Sequence, residues 1–176
     1  RRALEAWIQA GRIGLLEMAT GTGKTKTARA CILSVADLGT SLIVVVVPSV
    51  HIGRQWMVEL EELNPIEVNG ANPNWERSFR RALRQVSFNQ RNSLTVVAVM
   101  NTASSVRFVD LAAQASRQVE NSLLVGDEVH WLGASEFQRA LLPFANSRLG
   151  LSATPNRYFD DDGTNSLRAY FGGAPV

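Results

Sequence analysis

Short apolar runs alternate along the chain with longer stretches of helical spacing. Five runs read as strands: Gly14–Met18, Leu42–Val47, Leu94–Val99, Ser122–Gly126 and Arg148–Leu151. Several are unbroken apolar runs and do not alternate, which means that both faces of the strand are buried. Helical patterns fill the intervals at Gly23–Leu38, Ile52–Leu63, Asn74–Val86, Thr102–Ala115 and Ala134–Leu142. Strand–helix alternation of this kind predicts an α/β fold in three layers, a mainly parallel central sheet with helices on both faces. Ligands of such sheets sit beyond the carboxyl ends of the strands.

Composition narrows this picture only a little. The 176 residues are 45% hydrophobic and 19% charged, as in an ordinary globular domain. The longest apolar run, Leu42–Val47, falls far short of the roughly 20 residues a membrane-spanning helix needs. No membrane partner is therefore expected. A net charge of +2 with a pI near 9.1 permits nucleic-acid binding without requiring it. One cysteine, Cys31, and two histidines, His51 and His130, can form neither an internal disulfide nor a usual zinc cluster, and they fit a reducing cytoplasm. The chain opens "RRALEAW" and stops soon after its last motif. It reads as a single domain, 1–176, excised from a longer protein.

The chemistry concentrates in two places. In "LLEMATGTGKTKTA" a strand runs into Thr20, Gly21, Thr22, Gly23, Lys24 and Thr25, followed by a helix. This is the phosphate-loop pattern with Met18 where its first glycine normally stands. Gly21 and Gly23 let the backbone curl so that successive N–H groups point at anionic oxygens. The helix adds the positive end of its dipole. Lys24 can reach the β- and γ-phosphates of ATP, and the Thr25 hydroxyl can hold Mg²⁺. A second magnesium ligand is needed at the end of another strand, and "SLLVGDEVH" supplies it. Asp127 is the expected metal ligand. Glu128 is the expected general base on the attacking water. His130 completes a D-E-x-H frame.

Together these segments resemble the superfamily 2 helicases and translocases of the D-E-x-H type. "MATGTGKT" looks like motif I of that family, "VVVVPSVHIGRQW" is similar to motif Ia, "DEVH" to motif II and "LSATP" at Leu151–Pro155 to motif III. The subgroup it most resembles contains the type III restriction Res subunits and the xeroderma-B-like repair helicases. The resemblance implies a RecA-like domain, the first of two. It implies that His130, Ser152 and Thr154 couple the γ-phosphate state to domain movement. It implies that Ser49 touches the nucleic-acid backbone, with Asn101 and Thr102 in a looser match. ATP, Mg²⁺, DNA and a second RecA-like domain follow as cofactors and partners, in a cytoplasmic, nucleoid-associated protein. An RNA helicase, or a phosphate-loop switch with no nucleic-acid role, is the alternative. Gly126, where a branched apolar residue is usual, is expected to loosen the strand.

Three further features carry weaker readings. Arg77, Arg80, Arg81 and Arg84 share one face of the Asn74–Val86 helix, read as a solvated basic face in preference to a phosphate track. "FDDDGT" at Phe159–Thr164 matches a phosphatase signature but lacks the strand before it, so it is read as a polar loop. Trp56 shares a helical face with Ile52, Leu60 and Leu63 and reads as core.

Overall fold

The computed structural model describes residues 2–18, 23–153 and 161–172. Its elements are α1 (Arg2–Gln9), β1 (Ile13–Glu17), α2 (Lys24–Ala36), β2 (Ser41–Val47), α3 (Val50–Glu59), β3 (Ile66–Val68), α4 (Trp75–Ser87), β4 (Ser93–Val99), α5 (Met100–Ala103), α6 (Val106–Ser116), β5 (Asn121–Asp127), β6 (Ser147–Ser152) and α7 (Asp161–Phe171). The strands pair in the order β1-β6-β5-β2-β4-β3, and every pairing among them is parallel.

Burial explains why β2 is a continuous run of apolar residues from Leu42 to Val47. Leu42, Val44 and Val46 point into one core with Phe79 and Leu83 of α4, Phe108 and Leu111 of α6, and Phe171 of α7. Ile43, Val45 and Val47 point into the other with Trp7 of α1, Cys31 and Ile32 of α2, and Trp56 of α3. Neither face of the strand meets water, so neither tolerates polar alternation. Cys31 is fully buried, and burial pushes its thiol up to about 12. It is packing material and not a nucleophile.

The five anticipated strands are present to within a residue at every end, and the structure adds β3 at the sheet edge. The helical patterns fare less evenly. Ile52–Leu63 becomes α3 plus a 3₁₀ turn at Glu61–Leu63, and Thr102–Ala115 divides into α5 and α6. Ala134–Leu142 does not form an α-helix. Here the chain makes successive i→i+3 turns, from Trp131 N–H to Glu128 O, Ala134 to Trp131, Phe137 to Ala134 and Ala140 to Phe137. These bury Leu132, Ala140 and Leu142 within the short crossover to β6. Asp161–Thr164 open helix α7 and are not loop; Phe159 and Asp160 lie outside the described residues.

Gly126 does not loosen β5. Its register partner on β6 is Gly150, and the fully buried Phe171 ring fills the space that two side chains would otherwise take. Helix α7 is thereby seated on the strand that ends at Asp127.

Candidate active site

Three carboxyl ends meet on one edge of the sheet. Glu17 of β1 is in register with Ser152 of β6, and Leu151 of β6 with Asp127 of β5. Met18 continues the first pairing by donating its N–H to Ser152 O at 3.2 Å. Gly23 precedes α2 with φ of +93°, a left-handed conformation that glycine adopts without a Cβ penalty. Lys24 opens the helix immediately afterwards.

From there Lys24 Nζ reaches Glu128 Oε1 at 3.1 Å, across 104 residues of sequence. The ammonium-bearing side chain is 10% exposed and the carboxylate side chain 30%. Glu128 itself has φ of +47°. A non-glycine residue in that region carries backbone strain, and such residues concentrate at functional sites. The turn comes at once after β5, where it leaves Asp127 and Glu128 lining the same cleft.

The Asp127 carboxylate is held at both oxygens. Its Oδ2 accepts from the indole N–H of Trp56 at 2.8 Å, and its Oδ1 accepts from the backbone N–H of Glu128 at 3.0 Å. Burial raises its carboxyl above the ordinary value. The Trp56 hydrogen bond opposes that rise, the adjacent Glu128 charge adds to it, and the Glu128 N–H and Lys24 oppose it. Glu128 also approaches His130, whose Nδ1 stands 3.5 Å from Oε2 and 3.2 Å from Ser152 Oγ. The His130 ring in turn lies 5.3 Å from that of Trp131.

The cleft between these groups measures ≈ 510 Å³ and is lined by Gly23, Lys24, Thr25, Lys26, Ile52, Gln55, Glu59, Asp127 and Glu128. That is within the size range of small-molecule sites. Residues 1–157 match the family described as type III restriction enzyme, res subunit. The chain belongs to that family.

Solved structures support the same fold for this Res-family chain. It is similar to a nuclease-deletion mutant of the type ISP restriction-modification enzyme LlaGI in complex with a DNA substrate mimic, with a TM-score of 0.65 and 19% identity over 91% of this chain and 18% of that one. The ATP-dependent type ISP enzyme LlaBIII bound to DNA gives a TM-score of 0.61 and 18% identity, over 88% of this chain and 12% of that one. The helicase domain of Pyrococcus furiosus Hef gives a TM-score of 0.63 and 19% identity, over 96% and 35%. The chain thus spans about a third or less of each of these proteins. No curated protein matches it. The parallel sheet with helices on both faces resembles helicase RecA-like domains in fold.

The structure brings together part of the residue set anticipated from the sequence. Gly23, Lys24, Thr25, Asp127 and Glu128 line one cleft, with His130 and Ser152 joined to it through Glu128. Thr20, Gly21, Thr22 and Thr154 lie outside the described residues. Ser49 caps α3, its Oγ accepting from Ile52 N–H at 3.4 Å. Asn101 is exposed, and Thr102 is in α5 with its carbonyl taken by Ser105. Residues not assigned to the site from the sequence also contribute, among them Glu59 and Trp56, the latter read there as core. Glu59 lines the cleft from the end of α3, and the Trp56 indole grips Asp127. Only the latter left a signal: a buried indole N–H must find an acceptor.

Proposed function

We propose that this chain is the N-terminal ATP-binding motor domain of an ATP-dependent DNA helicase or double-stranded DNA translocase of restriction or repair type. The observation that carries the reading is the meeting of Lys24, Asp127 and Glu128 in one cleft at the carboxyl edge of a parallel sheet. Family membership supports it, and two of the similar structures are bound to DNA or a DNA mimic.

The donor set fits a hydrated magnesium ion with its nucleotide. Asp127 and Thr25 offer oxygen ligands, as hard cations require. Both Asp127 oxygens are already oriented by N–H donors, and the residue lines the cleft. Mg²⁺ there would neutralise charge on the β- and γ-phosphate oxygens. Lys24 would hold the same oxygens, with the α2 N-terminus and residues Thr20–Gly23 cradling the phosphates. Glu128 would orient and deprotonate the attacking water. His130, Ser152 and Thr154 would relay the γ-phosphate state to a second RecA-like domain. Ser49, Asn101 and Thr102 would touch the nucleic-acid backbone. The setting is cytoplasmic, at the nucleoid.

An arginine supplied by the second domain would complete the site, and such a finger is worth roughly 10³–10⁵ in rate. The 176 residues alone are therefore expected to hydrolyse ATP feebly and not to unwind. The test is ATP turnover by the full-length protein with no nucleic acid, with duplex DNA and with RNA, beside Lys24→Ala. DNA-stimulated turnover lost in the variant upholds the reading. Stimulation by RNA alone makes it an RNA motor, and turnover indifferent to both makes it a phosphate-loop switch.

A further inference from the structure

We propose that Trp56 is a positioning residue that ties helix α3 to the Asp127 carboxylate, so that contact at the Ser49 end of the helix sets the orientation of the magnesium ligand. The proposal rests on the function assigned above to Asp127 and Ser49.

Two donors fix the rotation of that carboxylate. One comes from its own strand end, the Glu128 N–H, and moves with Asp127. The other, the Trp56 indole N–H at 2.8 Å, comes from 71 residues away on a different element. A hydrogen bond to an ionised acceptor is about twice as strong as a neutral one. Trp56 is 1% exposed, so its bicycle has no freedom to swing away from the bond independently of its helix. Any displacement of α3 is felt at Asp127 Oδ2.

Helix α3 is built to transmit such a displacement. Ser49 caps its first turn through Ile52 N–H. Trp56 lies seven positions after Ser49, about two turns and ~10 Å of helix. Gly53, between them, brings the helix close to the sheet: a Cβ there would stand 3.4 Å from Val47 Cγ2 and 3.7 Å from Val97 Cγ1. The same helix forms one wall of the cleft through Ile52, Gln55 and Glu59. One short rod thus carries the residue assigned to nucleic-acid contact at its start and the grip on the metal carboxylate near its end. Packing alone would be served by any large apolar side chain; the indole N–H adds an interaction that only a polar partner in the site can use.

The experiment compares the full-length protein with Trp56→Phe, which keeps an aromatic ring and removes the donor. Magnesium dependence is read by titrating Mg²⁺ into protein with a fluorescent non-hydrolysable ATP analogue. DNA affinity, fold-stimulation of ATP turnover by DNA and unfolding temperature are measured on the same samples. Loss of an outer hydrogen bond to a metal ligand typically costs roughly 10–100-fold in metal affinity or activity. The expected result is a Mg²⁺ half-saturation raised by about tenfold and a weakened response to DNA, with DNA affinity unchanged. Wild-type Mg²⁺ dependence in Trp56→Phe overturns the proposal. A changed Mg²⁺ dependence with full DNA stimulation overturns the link between helix and metal. If Trp56→Phe does not fold, benzothienylalanine at position 56 keeps the bicycle, places sulfur where the N–H stands and answers the same question. Turnover unmoved by DNA in the wild-type protein would sink the motor reading, whereas nucleotide binding would still judge the grip of Trp56 on Asp127.

Discussion

Gly126 of β5 stands beside Gly150 of β6 in the parallel register, one residue before the strand delivers Asp127 to the site. A Cβ on Gly126 would come within 3.0 Å of Leu132 Cδ1, 3.1 Å of Val129 Cγ2 and 3.5 Å of Phe171 Cζ. All three side chains are fully buried, so none can retreat into solvent. Gly126→Val is expected to destabilise the fold by ~1–3 kcal/mol through overpacking. Phe171→Ala, which empties the slot from the other side, is expected to cost ~3–5 kcal/mol. Urea unfolding of the two variants measures both. A stabilised Gly126→Val would mean that the slot has room the packing denies.

Much of this arrangement could be read from the sequence, and the parts that could not have physical reasons. The runs that became β2, β4 and β5 were legible because a strand buried on both faces must be apolar throughout. Strand β3 has three residues with Glu67 in the middle, too short and too polar at a sheet edge to stand out. Ala134–Leu142 carries helical spacing, yet the chain must return in twenty residues or so to a parallel neighbour, and tight turns bury its apolar residues there. The strand–loop–helix around Lys24 and the strand before Asp127 were legible because each is local. The Trp56–Asp127 bond joins residues 71 apart. The helical face marked Trp56 as buried but gave no direction for its N–H. The left-handed turn at Glu128 likewise had no local cue, since nothing in the residue type asks for it.

In the proposed mechanism, Glu128 is the group whose removal separates binding from chemistry. Its Oε1 is 3.1 Å from Lys24 Nζ and its Oε2 is 3.5 Å from His130 Nδ1. Glu128→Gln keeps the shape and the capacity to hydrogen-bond Lys24 but removes the base. Loss of a general base typically costs 10²–10⁴-fold, so turnover of the full-length protein should fall by roughly that factor. Nucleotide affinity should be retained. Single-turnover hydrolysis and equilibrium titration with an ATP analogue separate the two quantities. Near-normal turnover would remove Glu128 from the role assigned to it.

The Asp127 carboxyl is raised above its ordinary value of 3.8, chiefly by burial. The folded state therefore holds this proton more tightly than the unfolded chain does. Between 3.8 and the raised folded value, the unfolded chain has released the proton while the folded chain keeps it. Stability from this group declines with rising pH through that window and stays at its lower level above it. Asp127→Asn cannot titrate. The difference in unfolding temperature, wild type minus variant, should fall as pH rises through the window and be flat above it. Scans in chelator at stepped pH test this. A difference that grows with pH would mean that the hydrogen bonds from Trp56 and Glu128 outweigh burial.

The arginine face of α4 is expected to be a solvated surface. Trp75, Phe79, Ala82, Leu83 and Val86 bury the opposite stripe, and Arg77, Arg81 and Arg84 are exposed. Arg80 is engaged by Glu76 at 3.0 Å, and Glu76 also pairs with Arg107 of α6. A carboxylate set between Arg80 and Arg107 lowers the positive field that a phosphate backbone would need. A protein contacting several phosphates releases counterions for each, and its affinity falls steeply with salt. Replacing Arg77, Arg81 and Arg84 by alanine together should leave both the DNA affinity of the full-length protein and its salt slope unchanged. The measurement is fluorescence anisotropy of labelled duplex at several salt concentrations. A salt slope reduced by about one per arginine would place phosphates on this face, and the track of the nucleic acid would then extend beyond the strand-end loops to α4.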